Sequence, residues 1–271
     1  MKTKGNLHTH TLWCDGQSGT RDMAEAALAL GWTFLGYSSH AFCRHCPDFG
    51  VRVTDRPGYA AEIASLKRAY AGRLDIFTGL EIDFVDPQSG EGMDYVIGCN
   101  HYAAVGERVC EVDHTEARLL EGIRDCFDGD PMRMARGYYE LEARYAREHK
   151  FDILAHFDLL TKFNEGGRIF DEESRAYRDA ALSALDAVAE TGVIMEVNTG
   201  AISRGCRKTP YPALFLLKRM REKNVPVLLS SDAHRADWLA TYFEEGEELL
   251  RSVGYREVMA LTEHGFQPMA L

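Results

Sequence analysis

No stretch of this chain approaches the roughly 18 consecutive apolar residues that a membrane-spanning helix needs. Its start, Met1-Lys2-Thr3-Lys4-Gly5-Asn6, runs into His8 and His10 where a secretory leader would need an apolar core. A cytoplasmic location and no membrane partner are therefore the expectation. Positive charge is scarce as well. The chain has 31 Lys and Arg against 42 Asp and Glu, a formal net charge of −11, so it lacks the basic face that long nucleic acids require. Cysteine is limited to seven scattered residues, an odd number that suits a reducing compartment and gives no disulfide framework. The C-x-x-C formed by Cys43 and Cys46 has no second pair at knuckle spacing, so a cysteine-based zinc site is not expected. No G-x-S-x-G or C-x5-R signature offers a covalent nucleophile. The run Glu165-Gly166-Gly167-Arg168 lacks the pattern of a nucleotide phosphate loop. Internal repeats and low-complexity tracts are absent too.

What is present is an ordinary globular composition, 45% hydrophobic and 27% charged, which excludes disorder, collagen and coiled coil for the bulk of the chain. A length of 271 residues fits two average domains or one α/β barrel. Seven strand-length apolar runs occur: Gly5–Thr9, Thr33–Ser38, Leu74–Ile82, Asp94–Cys99, Phe151–Ala155, Val193–Val197 and Val225–Leu229. Helical stripes lie between them, such as Met23, Ala26, Ala27 and Leu30, or Tyr177, Ala180, Ala181, Ala184, Leu185 and Val188. Thr20 is the expected N-cap of the first helix, and Gly31, Gly72 and Gly192 are expected helix stops. Repeated strand–helix units predict a parallel sheet with helices outside. Seven units favour a single-domain β/α barrel over residues 1–271, with an open doubly wound sheet as the alternative. Arg44–Pro57 and Pro87–Met93 read as loops at the barrel mouth. Gly106–Pro131 reads as a charged helical excursion, the tail after Gly254 gives no signal, and the acidic run Glu244–Glu248 reads as a solvated face.

The chemistry gathers where the runs end. The first ends in His8-Thr9-His10, an i, i+2 pair facing one way. The others end in His40, in Glu81 and Asp83, in Asn100-His101, in His156, in Glu196 and Asn198, and in Asp232-Ala233-His234. Six of the ten histidines thus fall at strand C-termini, where a barrel carries its active site. Six imidazoles converging on one mouth have no stabilising purpose without cations. Adding Asp15 from the loop after the first run gives nine candidate ligands: His8, His10, Asp15, His40, Glu81, His101, His156, Asp232 and His234. Nine donors with one bridging carboxylate suit three divalent ions, and such a centre favours phosphoester hydrolysis. Zinc, manganese and iron fit these donors alike.

The order H-x-H, lone His, lone Glu, two single His and a final D-x-H is similar to the polymerase and histidinol phosphatase superfamily, with the histidinol-phosphate phosphatase family nearest. The resemblance implies a distorted seven-stranded β/α barrel of the TIM-like type with a trinuclear centre. It implies one metal on His8, His10, Glu81 and Asp232, a second on Asp15, His40 and His234, and a third on Glu81, His101 and His156. Asn6 stands where many relatives have Asp. The resemblance also implies a phosphate-binding arginine in the loop Asn198–Lys208; Arg204 is the first choice and Arg207 the second, ahead of Lys162 and Arg168. Glu81, Asp232 and His234 are the expected catalytic residues, with a metal-bridging hydroxide attacking a small phosphomonoester. Asp83 and His234 are the candidates for the proton donor to the leaving group. Histidinol phosphate is the expected substrate and nucleoside monophosphates the alternative. An amidohydrolase would leave Asp15, His40 and His101 without roles, and a non-catalytic metal scaffold ranks last.

Overall fold

The protein is described by a computed structural model, and the description concerns residues 2–48 and 50–271. In chain order its elements are β1 (Gly5–Asn6), α1 (Thr20–Ala29), β2 (Phe34–Tyr37), α2 (Arg56–Ala69), β3 (Asp75–Asp83), β4 (Tyr95–Cys99), β5 (Tyr102–Val105), β6 (Arg108–Glu111), α3 (Glu116–Cys126), α4 (Pro131–Glu148), β7 (Ile153–Leu154), α5 (Arg175–Ala189), β8 (Ile194–Asn198), α6 (Gly200–Ser203), α7 (Leu214–Glu222), β9 (Val227–Ser230), α8 (Phe243–Ser252), β10 (Glu257–Thr262) and β11 (Gly265–Ala270). Each of the seven apolar runs of the sequence overlaps one strand of the main sheet, in the order β1-β2-β3-β4-β7-β8-β9, and every pairing in it is parallel. The sheet closes just beyond the ends of its first and last strands. There Thr9 pairs in parallel with Ala233, and the His10 N–H donates to the Ala233 carbonyl at 2.8 Å. That bridge rules out the open doubly wound alternative and makes a nearly closed barrel.

Period-two alternation decides what fills the barrel. Phe77, Gly79, Glu81 and Asp83 share one face of β3, and Tyr95, Ile97 and Cys99 share one face of β4. Their lower members join Leu7, Ile153, Ile194 and Leu228 in a buried apolar cluster. Gly79 is required there, because a Cβ on it would lie 2.5 Å from the Tyr95 ring. The upper members of the same faces carry the polar site.

The helices follow their predicted stripes in part: Ala26 and Ala180 are half-buried, and Leu30 is exposed. The α1 helix buries Met23, Ala24 and Ala27; α5 buries Tyr177, Ala181, Ala184, Leu185 and Val188. Gly31, Gly72 and Gly192 take positive φ of 69°, 74° and 75°, as helix stops do. The cap of α1 is Gly19, not Thr20: the Asp22 carboxylate accepts the Gly19 N–H, and the Thr20 hydroxyl donates to Glu62 instead. The α2 helix starts at Arg56, within the segment read as a loop.

Two β-hairpins were not expected. The excursion after β4 begins with the antiparallel pair β5–β6 before reaching α3. The tail forms β10–β11, whose Ala260 and Leu261 join the interior cluster. Glu247 also departs from expectation. It is only 2% exposed and accepts the Lys2 and Thr3 backbone N–H groups at 2.6 and 2.7 Å. It therefore tethers the chain just ahead of β1, the strand that leads into the H-x-H pair.

Glu247→Ala should lower stability by about 1–3 kcal/mol. Burial pushes the Glu247 carboxyl up, but the Thr3 and Lys2 N–H groups and Arg251 hold it below the ordinary value of 4.5. The sign follows from a depressed folded pKa: the contribution is complete above about pH 4.5 and is lost as pH falls further. Denaturant melts of both proteins at several pH values should show their difference shrinking only in acid. A difference that stays constant down to pH 3 would contradict the tether.

Candidate metal centre

The structure brings all nine sequence-selected donors to the C-terminal mouth of the barrel. Glu81 sits at their middle. Its Oε2 lies 3.2 Å from His8 Nε2, 3.3 Å from His10 Nε2 and 3.0 Å from His40 Nδ1. Its Oε1 lies 3.2 Å from His156 Nε2 and 3.7 Å from His101 Nε2. Asp232 Oδ1 is 3.2 Å from His10 Nε2 and 3.6 Å from His8 Nε2. Asp15 Oδ2 is 3.1 Å from His234 Nε2, and Asp15 Oδ1 is 3.8 Å from His40 Nε2. Asp232 has φ +48°, a backbone state that Asp tolerates better than bulkier residues.

Four sets of donor atoms each gather within 4.8 Å: His10, Asp15, His40 and His234; His8, Glu81 and His156; His8, His10 and Asp232; Glu81, Cys99 and His101. His8 Nε2, His10 Nε2 and Glu81 Oε2 are buried and make no hydrogen bond. Buried polar atoms are normally satisfied, and unpaired nitrogen and oxygen atoms pointing at one another are what a divalent cation would satisfy. The donor set fits a metal.

The electrostatics are those of a site with its acids ionised. Burial pushes the Glu81 carboxyl up, but His40 and His8 hold it well below its usual range. Asp232 is held down likewise, by Arg204 and then His8. His10 is driven down to about 3 by burial and by His234 and His40, so its ring is a neutral lone-pair donor at pH 7. His8 is raised despite burial, because Glu196, Glu81 and Asp232 surround it.

Arg204, the first choice from the sequence, faces the cavity. Its Nη2 lies 3.1 Å from Asp232 Oδ1 and 2.8 Å from His234 Nδ1, and its guanidinium lines the cavity over the donors. Gly200 makes room for it: a Cβ there would come within 2.6 Å of Arg204 Nη1. Arg207, the second choice, is turned elsewhere. Its guanidinium bonds both Glu172 oxygens at 2.8 and 3.0 Å and the Thr161 carbonyl at 3.0 Å. Lys162 bonds Asp113, and Arg168 bonds Glu116. Asp83 accepts from His101 Nδ1 at 2.8 Å, so it orients that ring and is poorly placed to protonate a leaving group.

Cys46 and Arg52 do stand at C-x5-R spacing. Burial and then Glu111 raise the Cys46 thiol to about 11, so it supplies no thiolate nucleophile near neutral pH. Sequence reading also gave Glu196 no role, although it was visible at a strand end. It lies beneath the donors and accepts from His8 Nδ1 at 2.6 Å. Cys99, next to Glu81 and His101, was another omission; burial keeps its thiol protonated.

Above the donors opens a cavity of about 440 Å³. Arg204, Gln17 and Trp238 line it, as do Tyr102, Glu111, Asp113 and His114 from the β5–β6 hairpin and the loop that follows.

A nearly closed parallel barrel with carboxylates and imidazoles converging at its C-terminal mouth defines a metal-dependent hydrolase of the β/α-barrel class. The PHP domain family matches residues 6–200, and the chain belongs to that family. It is 33% identical to the probable histidinol-phosphatase of Deinococcus radiodurans, over 93% of this chain and 94% of that one. It is 26% identical to the histidinol-phosphatase of Bacillus subtilis, over 86% of this chain and 94% of the other. Among solved structures, the histidinol phosphate phosphatase of Lactococcus lactis, complexed with zinc, L-histidinol and phosphate, superposes with a TM-score of 0.74. That match has 20% identity and covers 98% of this chain and 99% of that one.

Proposed function

We propose that this chain is a metal-dependent phosphomonoesterase that hydrolyses L-histidinol phosphate to L-histidinol and phosphate. The observation that carries this reading is the cluster of buried, unpaired His8, His10 and Glu81 atoms at a cavity that Glu81 and Arg204 both line. Family membership and the names of the relatives support the substrate. The reading assigns His8, His10, Asp15, His40, Glu81, His101, His156, Asp232 and His234 to three divalent ions. Zinc is the ion found in the Lactococcus lactis structure, and manganese and iron suit the same donors. It treats residues 1–271 as one catalytic domain. It also includes a cytoplasmic location, supported by seven free cysteines, and no long nucleic acid as partner.

Bound divalent ions would supply an acidified water and neutralise phosphate charge at neutral pH. The chain's own residues do the rest. Glu81 holds five imidazoles in one arc. Arg204 presents an N–H fork to the equatorial oxygens of the phosphoryl group. Asp232 and His234 hold that guanidinium in place. Glu111 and Asp113 also line the cavity, each already paired with a cation, Glu111 with Arg118 at 2.7 Å and Asp113 with Lys162 at 3.2 Å.

The test compares phosphate release from histidinol phosphate, AMP and p-nitrophenyl phosphate with Zn²⁺ or Mn²⁺ added. Histidinol phosphate should lead by about a hundredfold or more in kcat/KM, equal to about 2.7 kcal/mol of transition-state discrimination. Equal rates, or AMP leading, would keep the phosphoesterase and remove this substrate.

A further inference from the structure

Glu196 is fully buried and lies outside the cavity wall, one layer below the metal-facing atoms. Four groups converge on its carboxylate. Oε1 faces His8 Nδ1 at 2.6 Å and accepts from the Ser230 hydroxyl. Oε2 accepts the His156 backbone N–H at 2.8 Å and the Asn198 side-chain amide at 2.8 Å. These groups belong to the segments at and just beyond the ends of β1, β9, β7 and β8. One side chain thus ties together four strands of the barrel, three of which lead into imidazoles of the centre.

We propose that Glu196 is a positioning residue of the metal centre: it accepts the His8 Nδ1–H and so commits Nε2 of that ring to the ion. The inference rests on the metal-centre reading above. An imidazole that ligates an ion through one nitrogen carries its single N–H on the other, and an ionised carboxylate can only accept. Oε1 therefore requires the proton on Nδ1 and leaves the lone pair on Nε2. That Nε2 is one of the buried atoms without a hydrogen bond, 3.2 Å from Glu81 Oε2.

The nearly isosteric Glu196→Gln separates this role from simple packing. An amide has one accepting and one donating end. The fixed His156 N–H draws the amide oxygen to the Oε2 position. The amide NH2 then faces His8 Nδ1 and the Ser230 hydroxyl. The hydroxyl can rotate to accept, but Nδ1 can accept only if its proton moves to Nε2, which blocks the donor atom. Ser230→Ala, by contrast, leaves the carboxylate facing His8.

The measurement is Zn²⁺ affinity and stoichiometry of the purified chain by chelator competition, with thermal unfolding as the fold control. E196Q should bind Zn²⁺ about ten- to a hundredfold more weakly, and S230A should stay within about threefold of wild type. Wild-type affinity in a folded E196Q would overturn the proposal. If E196Q does not fold, 15N-histidine NMR of the zinc-loaded wild type decides. The proposal requires a protonated, slowly exchanging Nδ1 on His8, and an unprotonated Nδ1 overturns it. A wild-type chain that binds no Zn²⁺ would instead overturn the metal-centre reading itself.

Discussion

Glu81→Gln is expected to lower kcat/KM for histidinol phosphate by at least about a thousandfold, some 4 kcal/mol of transition-state stabilisation. The size follows from its position. Both carboxylate oxygens are shared among five imidazoles at 3.0 to 3.7 Å. An amide in that place replaces one anionic oxygen by an NH2 group, which turns hydrogens toward ring nitrogens that must present lone pairs. Metal content should fall together with activity, because the same oxygens would help hold the ions. Elemental analysis of the purified variant beside its phosphate-release rate checks this. A variant with wild-type turnover and depleted metal would contradict the role given to Glu81.

Arg204→Ala is expected to lower kcat/KM by about 10²–10³, or about 2.7–4 kcal/mol, the range for removing a preorganised donor from a site of developing charge. Metal content should stay near the wild-type level, because Arg204 pairs with Asp232 and His234 without supplying a lone pair. Arg204→Lys should recover only part of the loss, since an ammonium restores the charge but not the planar fork. Arg207→Ala provides the contrast. Its guanidinium is held by Glu172 and the Thr161 carbonyl, so its loss should reduce stability and leave kcat/KM within about threefold. Equal kinetic losses in the two alanine variants would contradict the distinction between them.

The site was legible because strand geometry projects sequence order onto space. His8 and His10, or Asp232 and His234, stand two residues apart, and strand ends of a barrel share one rim. Residues whose role depends on a distant partner were not legible. Arg204 and Arg207 stand close together in one loop, and it is their partners, Asp232 for the first and Glu172 for the second, that decide which one overlooks the donors. Glu196 stood among the polar strand ends, but its purpose requires knowing that His8 and the His156 amide lie across the barrel interior. Cys46 at C-x5-R spacing shows the reverse case, a pattern that burial and nearby acids strip of its chemistry.

The barrel itself was legible from seven apolar runs, and the two hairpins were not. The β5–β6 pair is short and partly charged, and only Tyr102, Ala103 and Cys110 of it are buried. The tail strand β11 has no buried residue and hence no apolar period; its partner β10 is held by Val258, Ala260 and Leu261. Glu247 looked like its exposed acidic neighbours, and only the backbone N–H groups of Lys2 and Thr3 distinguish it.

The central claim is that nine side chains of one barrel mouth hold the ions with which the chain cleaves a phosphomonoester. It is tested most directly by stripping the protein with a chelator and titrating Zn²⁺ or Mn²⁺ back while following phosphate release from histidinol phosphate. The metal-free chain should be inactive, and turnover should rise to a plateau at about three equivalents. Full turnover by the stripped protein would contradict the account.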